Sequence, residues 1–347
     1  MRFGLFGSAQ AKRPTPGAEL TDSSQGFREW IDNNVEAETL GFHGTFVVEH
    51  HFTGFGQVSA SLNLLTWLGA RTTTLRLGTA VLVLPWHNPV LLAEQAATLD
   101  LLSGGRLDFG VGKGYRYNEF AGFCVEMEEA DSRFDEAMDV ITKSFVSDAP
   151  FSHRGKYWQF DNIVVEPPAA QRPHPPFWMG AGSERSVRQV AERGYNLLLG
   201  QYDLAADVRR FIAQFKADVE QRGRAYDPMQ VGVARAVHIA KDEADLAAAL
   251  ERRYQGHVRI NKLSERPGGD ERERFANHDE TAVRRLCDET AIFGTLDQIA
   301  RKIEALHQDG VEYMIVNFGG SRENIRRFAR EIMPAFAGEP RMADAAK

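Results

Sequence analysis

The chain has 347 residues, 43% of them hydrophobic and 26% charged, with a formal net charge of −7. This length suits one α/β barrel with insertions, and an acidic surface repels phosphate backbones and anionic lipid heads, which argues against nucleic-acid and membrane partners. Its two cysteines, Cys124 and Cys287, cannot form a disulfide framework or a four-ligand zinc site, and they point to a reducing compartment.

From the N-terminus, residues 2–7 read as a strand that passes straight into polar sequence, without the apolar core of a signal peptide. Further strands are predicted at 45–49, 75–84, 106–112, 177–181, 196–199, 230–239 and 313–318. Ala80-Val81-Leu82-Val83-Leu84 is apolar throughout, as a strand buried on both faces of a parallel sheet should be. Amphipathic helices are predicted at 26–40, 59–70, 89–102, 131–147, 183–193, 204–222, 241–254, 296–308 and 321–332. This alternation predicts a closed (β/α)8 TIM barrel with insertions, or a large doubly wound sheet, in one domain spanning 1–347.

Three segments interrupt the alternation. Residues 8–25 are polar, with Pro14 and Pro16; residues 150–176 are rich in proline and aromatics and suggest a hairpin. Residues 256–289 are crowded with charge around the turn Pro267-Gly268-Gly269, and a long loop of that kind reads as a mobile lid. The longest apolar run, 79–85, falls far short of the ~20 residues that span a bilayer. A soluble, cytoplasmic protein is expected.

Three stretches could carry chemistry. Glu49-His50-His51-Phe52 closes the second predicted strand, at the barrel rim where active sites assemble. Titratable groups there suit acid–base work near neutral pH; the plainer reading is a polar loop. Adjacent residues on extended chain point opposite ways, so His50 and His51 do not readily grip one metal ion, and no metal is expected. Phe109–Tyr115 places glycines at 110, 112 and 114 beside Lys113, which lets backbone approach an anionic ligand closely. It fails as a dinucleotide fingerprint because Tyr115 stands where the third glycine is required. In the third stretch, Gly182-Ser183 opens a helix whose free N–H groups suit a phosphate, with Ser186 one turn on; Ser183 also reads simply as an N-cap.

The ordered series Glu49-His50-His51-Phe52, Leu77–Ala80, Leu84-Pro85, Leu99–Gly110, Gly114–Phe120, Phe123, Gly294-Thr295, Gly310-Val311 and Met333-Pro334 resembles the bacterial-luciferase-like flavin monooxygenases nearly end to end. The resemblance implies a single barrel that takes reduced FMN (FMNH2) from a separate NAD(P)H:flavin reductase. With O2 it would oxygenate a small organic substrate, an aldehyde, ketone or similar, through a C4a-peroxyflavin. It assigns His50 as the catalytic histidine beside the flavin, and places a non-prolyl cis peptide, Ala80–Val81, against the isoalloxazine ring. Lys113, Ser183 and Ser186 fall on phosphate-binding positions, with Gly114, Tyr115 and Gly182 in the same flavin site. Gly112 stands where true luciferases carry a reactive cysteine, which sets light emission apart from flavin binding. The segment 256–289 takes the place of the family's mobile loop, and a homodimer is expected. Phe52, Phe55, Trp86 and Tyr115 are candidates to wall the pocket. The alternatives are an F420-dependent hydride-transfer enzyme of the same fold, a non-catalytic flavin-binding protein, and a barrel metallohydrolase.

Overall fold

Runs such as Leu107–Gly112, buried on both faces, form strands enclosed between helices and a barrel interior. The computed structural model describes residues 1–11, 24–266 and 279–337. Its strands are β1 (Arg2–Gly7), β2 (Gly44–Val47), β3 (Arg76–Thr79), β4 (Leu82–Val83), β5 (Leu107–Gly112), β6 (Phe151–Arg154), β7 (Gln159–Ile163), β8 (Phe177–Ala181), β9 (Asn196–Leu199), β10 (Val231–Ile239), β11 (Ile292–Gly294) and β12 (Tyr313–Asn317). Between them lie α1 (Gln25–Thr39), α2 (Ser61–Gly69), α3 (Pro89–Ser103), α4 (Tyr117–Gly122), α5 (Ala130–Val146), α6 (Glu184–Arg193), α7 (Ala205–Gln221), α8 (Glu243–Lys262), α9 (Glu280–Glu289), α10 (Leu296–Gln308) and α11 (Arg322–Glu331).

Backbone pairing runs β1–β2–β3–β5–β8–β9–β10–β12 and returns to β1, every neighbour parallel. The barrel is closed, and the doubly wound alternative falls. β4 adds to β5, β11 adds to β10, and β6–β7 is the antiparallel hairpin expected within 150–176. Two apolar layers hold the fold. The larger lies between sheet and helices, and the smaller fills the barrel with Phe46, Trp178, Leu198, Ala234, Tyr313 and Ile315. Phe6, Ala80 and Val81 pack on that inner cluster and stay half-buried, forming its floor towards the C-terminal rim.

Four local readings need correction. The single strand 75–84 is two, β3 and β4, parted at Ala80–Val81, whose peptide is cis. Residues 117–122, covered by none of the predicted helices, form α4, which buries Glu119 and Phe120. β11 escaped notice because three residues are too few for a pattern. The loop expected over 256–289 is largely helical where it is described. α8 runs on to Lys262 and α9 covers Glu280–Glu289, while 267–278 lie outside the described residues. Arg253 of α8 ties the two helices together, donating to the carbonyl of Cys287 at 3.0 Å and to Thr290 Oγ1 at 2.8 Å. Among the described residues no helix is long and apolar enough to cross a membrane.

Candidate active site

β2 ends at Val47, and the chain carries Glu49, His50 and His51 onto the C-terminal rim. Glu49 is 1% exposed and serves as a hub. It accepts from Trp86 Nε1 at 2.9 Å and pairs with His51 Nε2 at 2.8 Å, while His87 Nε2 lies 2.9 and 3.0 Å from its two oxygens. Burial pushes this carboxyl up, but hydrogen bonds from His51, His87 and Trp86 outweigh it and bring it down to about 2. Glu49 is therefore a fixed anion that clamps the β2 exit to the segment after β4.

His50 faces another carboxylate. Its Nδ1 lies 3.1 Å from Glu119 Oε1, and the same oxygen accepts the His51 backbone N–H at 2.9 Å. A carboxylate oxygen only accepts, so Nδ1 is the donor, which leaves the lone pair of His50 on Nε2. Burial, chiefly, holds the His50 pKa below its ordinary value, with Arg116 adding to the effect and Glu119 opposing it. The ring is neutral at neutral pH, a hydrogen-bond acceptor and base rather than a cation.

Aromatic rings wall the same region. Trp86 stacks on Phe123 at 5.2 Å, and His51 meets the Phe123 ring at 4.7 Å, edge on. A cleft of about 280 Å³ opens between Trp86, His87, Phe123, Arg133 and Trp158. Of the expected wall residues, Trp86 lines that cleft, while Phe52 is 58% exposed and packs on Phe123. Phe55 lies under Arg259 of α8 at 4.4 Å, and the amide of Asn118 donates to the carbonyl of Leu263 just beyond that helix. The described start of the expected lid thus sits on the rim.

The expected phosphate residues stand at two neighbouring strand ends, Lys113 after β5 and Ser183 after β8. Their present bonds are structural. Lys113 pairs with Asp131 at 3.1 Å, and Ser183 and Ser186 form a capping box at the start of α6. Gly182 donates its N–H to Ser186 Oγ at 3.3 Å, and Tyr115 lies beside Arg116. The glycines of 110–114 answer to neighbouring strands first. A Cβ on Gly110 would meet the Thr79 carbonyl at 1.7 Å, on Gly112 Val81 at 2.4 Å, and on Gly114 Val83 at 2.6 Å. A cysteine at 112 would collide with Val81.

The description of luciferase-like monooxygenases matches residues 1–313. The chain belongs to that family. Over 97% of its length it is 25% identical to the oxygenase component of a flavin-dependent trigonelline monooxygenase from Acinetobacter baylyi, covering 96% of that protein. It is also 28% identical to the protein y4vJ of Sinorhizobium fredii, over 66% of this chain and 65% of that one. Among solved structures, the monooxygenase RslO1 from Streptomyces bottropensis superposes with a TM-score of 0.80 at 23% identity, covering 97% and 100% of the two chains. An F420-dependent secondary alcohol dehydrogenase reaches 0.74 at 16% identity, with 97% and 99% covered. Both share the fold.

Reading the sequence missed Glu119, Arg116 and His87. The first two carried a faint signal: at i and i+3 they share one face if the chain turns helical there. His87 meets Glu49 across 38 positions, which no local pattern reveals.

Proposed function

We propose that the C-terminal rim binds reduced FMN and that the protein uses it with O2 to oxygenate a small organic substrate. The flavin would be reduced elsewhere, by an NAD(P)H:flavin reductase. The observation that carries this is a neutral His50, fixed by Glu119 on the rim of a barrel floored by Phe6, Ala80 and Val81. That half-buried apolar floor fits a flat ring system, and Lys113 with the α6 cap at neighbouring strand ends fits its phosphate. Bound reduced flavin supplies the electrons that activate oxygen. The protein does the rest. Nε2 of His50 takes or holds the substrate proton, Trp86 and Phe123 exclude water, and Glu49 keeps the β4 segment in register with the histidines. A homodimer is part of the same reading. Trp67 on α2 and Leu91, Leu101 and Leu102 on α3 are exposed apolar side chains outside the barrel, which a second copy would cover.

Stopped-flow mixing of the protein loaded with reduced FMN against oxygenated buffer tests the central claim. A transient absorbing unlike either reduced or oxidised FMN is expected, and immediate appearance of oxidised FMN would defeat it. Parallel titration with reduced F420 separates the two cofactors. Tighter binding of F420, with hydride transfer to a carbonyl, would replace oxygenation by the dehydrogenase reading.

A further inference from the structure

Arg116 stands within this site with two of its guanidinium nitrogens unmatched among the described residues. It follows the Gly114-Tyr115 exit from β5, leads into α4 and is 2% exposed. Neither Nε nor Nη1 has a hydrogen-bond partner among the described residues. Its guanidinium carbon lies 5.6 Å from the centre of the Tyr115 ring. Buried guanidinium N–H groups without an acceptor forfeit their hydration with no compensating bond.

This fold treats its other buried arginines differently. Arg235 donates to the carbonyls of Gly200 at 3.0 Å and Asp203 at 2.8 Å, and Arg253 to those of Cys287 and Gln201, each at 3.0 Å. Position separates Arg116 further. Its carbonyl accepts the amide of Glu119 at 3.2 Å, so it stands one turn from the carboxylate that holds His50. Lys113, on the same strand exit, turns instead to Asp131. The two cations divide the rim, one towards α5 and one towards the reacting end.

Resting on the flavin-site reading above, we propose that Arg116 receives an oxyanion of the organic substrate, a carboxylate on a small ring or chain. The planar guanidinium matches a carboxylate in shape and charge. Held there, the substrate presents its neighbouring carbons to His50 and to the flavin floor. The site then selects acids over their neutral analogues, because an uncharged ligand leaves the cation buried and unpaired.

Calorimetric titration with benzoate and its neutral counterpart benzamide, with and without saturating FMN, tests this. The wild type should bind benzoate about tenfold or more tightly than benzamide. Arg116→Met should abolish that preference, leave FMN affinity unchanged and raise the thermal midpoint, since a buried unpaired charge has gone. Arg116→Lys should restore part of the preference. Equal or absent binding of the two probes by the wild type overturns the proposal without any variant. A loss in Arg116→Met that falls on FMN overturns it too, by making the flavin the anion. If the wild type prefers benzoate but binds no FMN, the flavin reading fails and the anion site stands.

Discussion

At the N-terminal end of the barrel, Arg76 meets Asp108 through two hydrogen bonds, Nε–Oδ2 at 2.8 Å and Nη2–Oδ1 at 2.7 Å, and adds the Leu107 carbonyl at 3.2 Å. At the C-terminal end, and among the described residues, Arg116 has no such partner at Nε or Nη1, and the His50 Nδ1 bond to Glu119 leaves its Nε2 for a ligand. Both ends bury charge, but only the first matches it donor for acceptor. The N-terminal end holds an open cleft of about 230 Å³ lined by Arg76, Asp108, Trp178 and Tyr313, a space suited to water. Buried charge that is fully paired stabilises the barrel. Buried charge with spare bonding capacity marks where a ligand belongs.

That contrast breaks most sharply on a pair of substitutions. His50→Ala should lower product formation by about 10²–10⁴-fold, the usual worth of general acid–base help, while the fold and flavin affinity persist. Oxygen uptake should continue, uncoupled, as hydrogen peroxide. His51→Ala should be milder in chemistry, because His51 faces Glu49 instead. Asp108→Asn at the far end should do the reverse: about 3 kcal/mol lost in urea unfolding from the abandoned Arg76 charge, with turnover intact. Product and peroxide per NADH oxidised, beside unfolding curves, decide the matter. Wild-type coupling in His50→Ala would make that histidine structural, and lost turnover in Asp108→Asn would erase the division between the ends.

Glu49 belongs to the rim but is paired like a structural charge, and acid sharpens its status. Its folded value, about 2, lies below the ordinary 4.5, so the unfolded chain takes up that proton first as pH falls. The stability it contributes is present above pH 4.5 and is lost as pH drops towards 2. It amounts to about 3 kcal/mol. His50, also held below its ordinary 6.5, has the same sign: its contribution is present above that pH and fades below it. The urea midpoint should therefore begin to fall under pH 6.5 and fall further under 4.5. Glu49→Gln should remove the second decline. A variant as acid-sensitive as the wild type would show that Glu49 carries little of the clamp.

The barrel was legible because its strands are short apolar runs separated by amphipathic helices, and burial on both faces requires that composition. His50 was legible from its place at a strand end. Its partners were not: Arg116 caps and Glu119 lies within a six-residue helix, too short to show a period, and Glu49 gathers His51, Trp86 and His87 from across the fold. The glycines at 110, 112 and 114 were read as room for a ligand, while the structure sets Thr79, Val81 and Val83 against them. Such contacts belong to strand packing, which one sequence does not display. The turn Pro267-Gly268-Gly269 and its surrounding charge made the whole of 256–289 look like a loop, although α8 and α9 occupy both its ends.

The smallest expected effects lie at the β5 and β8 exits, where paired groups stand on the functional end. Lys113 already has Asp131, and Ser183 already caps α6, so by the logic of the far end both are structural. The flavin reading says otherwise, and riboflavin, which lacks the phosphate, separates the two. Lys113→Ala should weaken FMN binding by about 1.5–3 kcal/mol, the worth of a charge-assisted contact, and leave riboflavin unaffected. Ser183→Ala should cost about 1 kcal/mol of stability as a lost N-cap. Thr295→Ala, which removes the equivalent capping box on α10, provides the control. Both cap variants should unfold at similar urea concentrations, but only Ser183→Ala should favour riboflavin relative to FMN. If the two behave alike towards both flavins, Ser183 is a cap and nothing more, and the phosphate must be sought elsewhere on the rim.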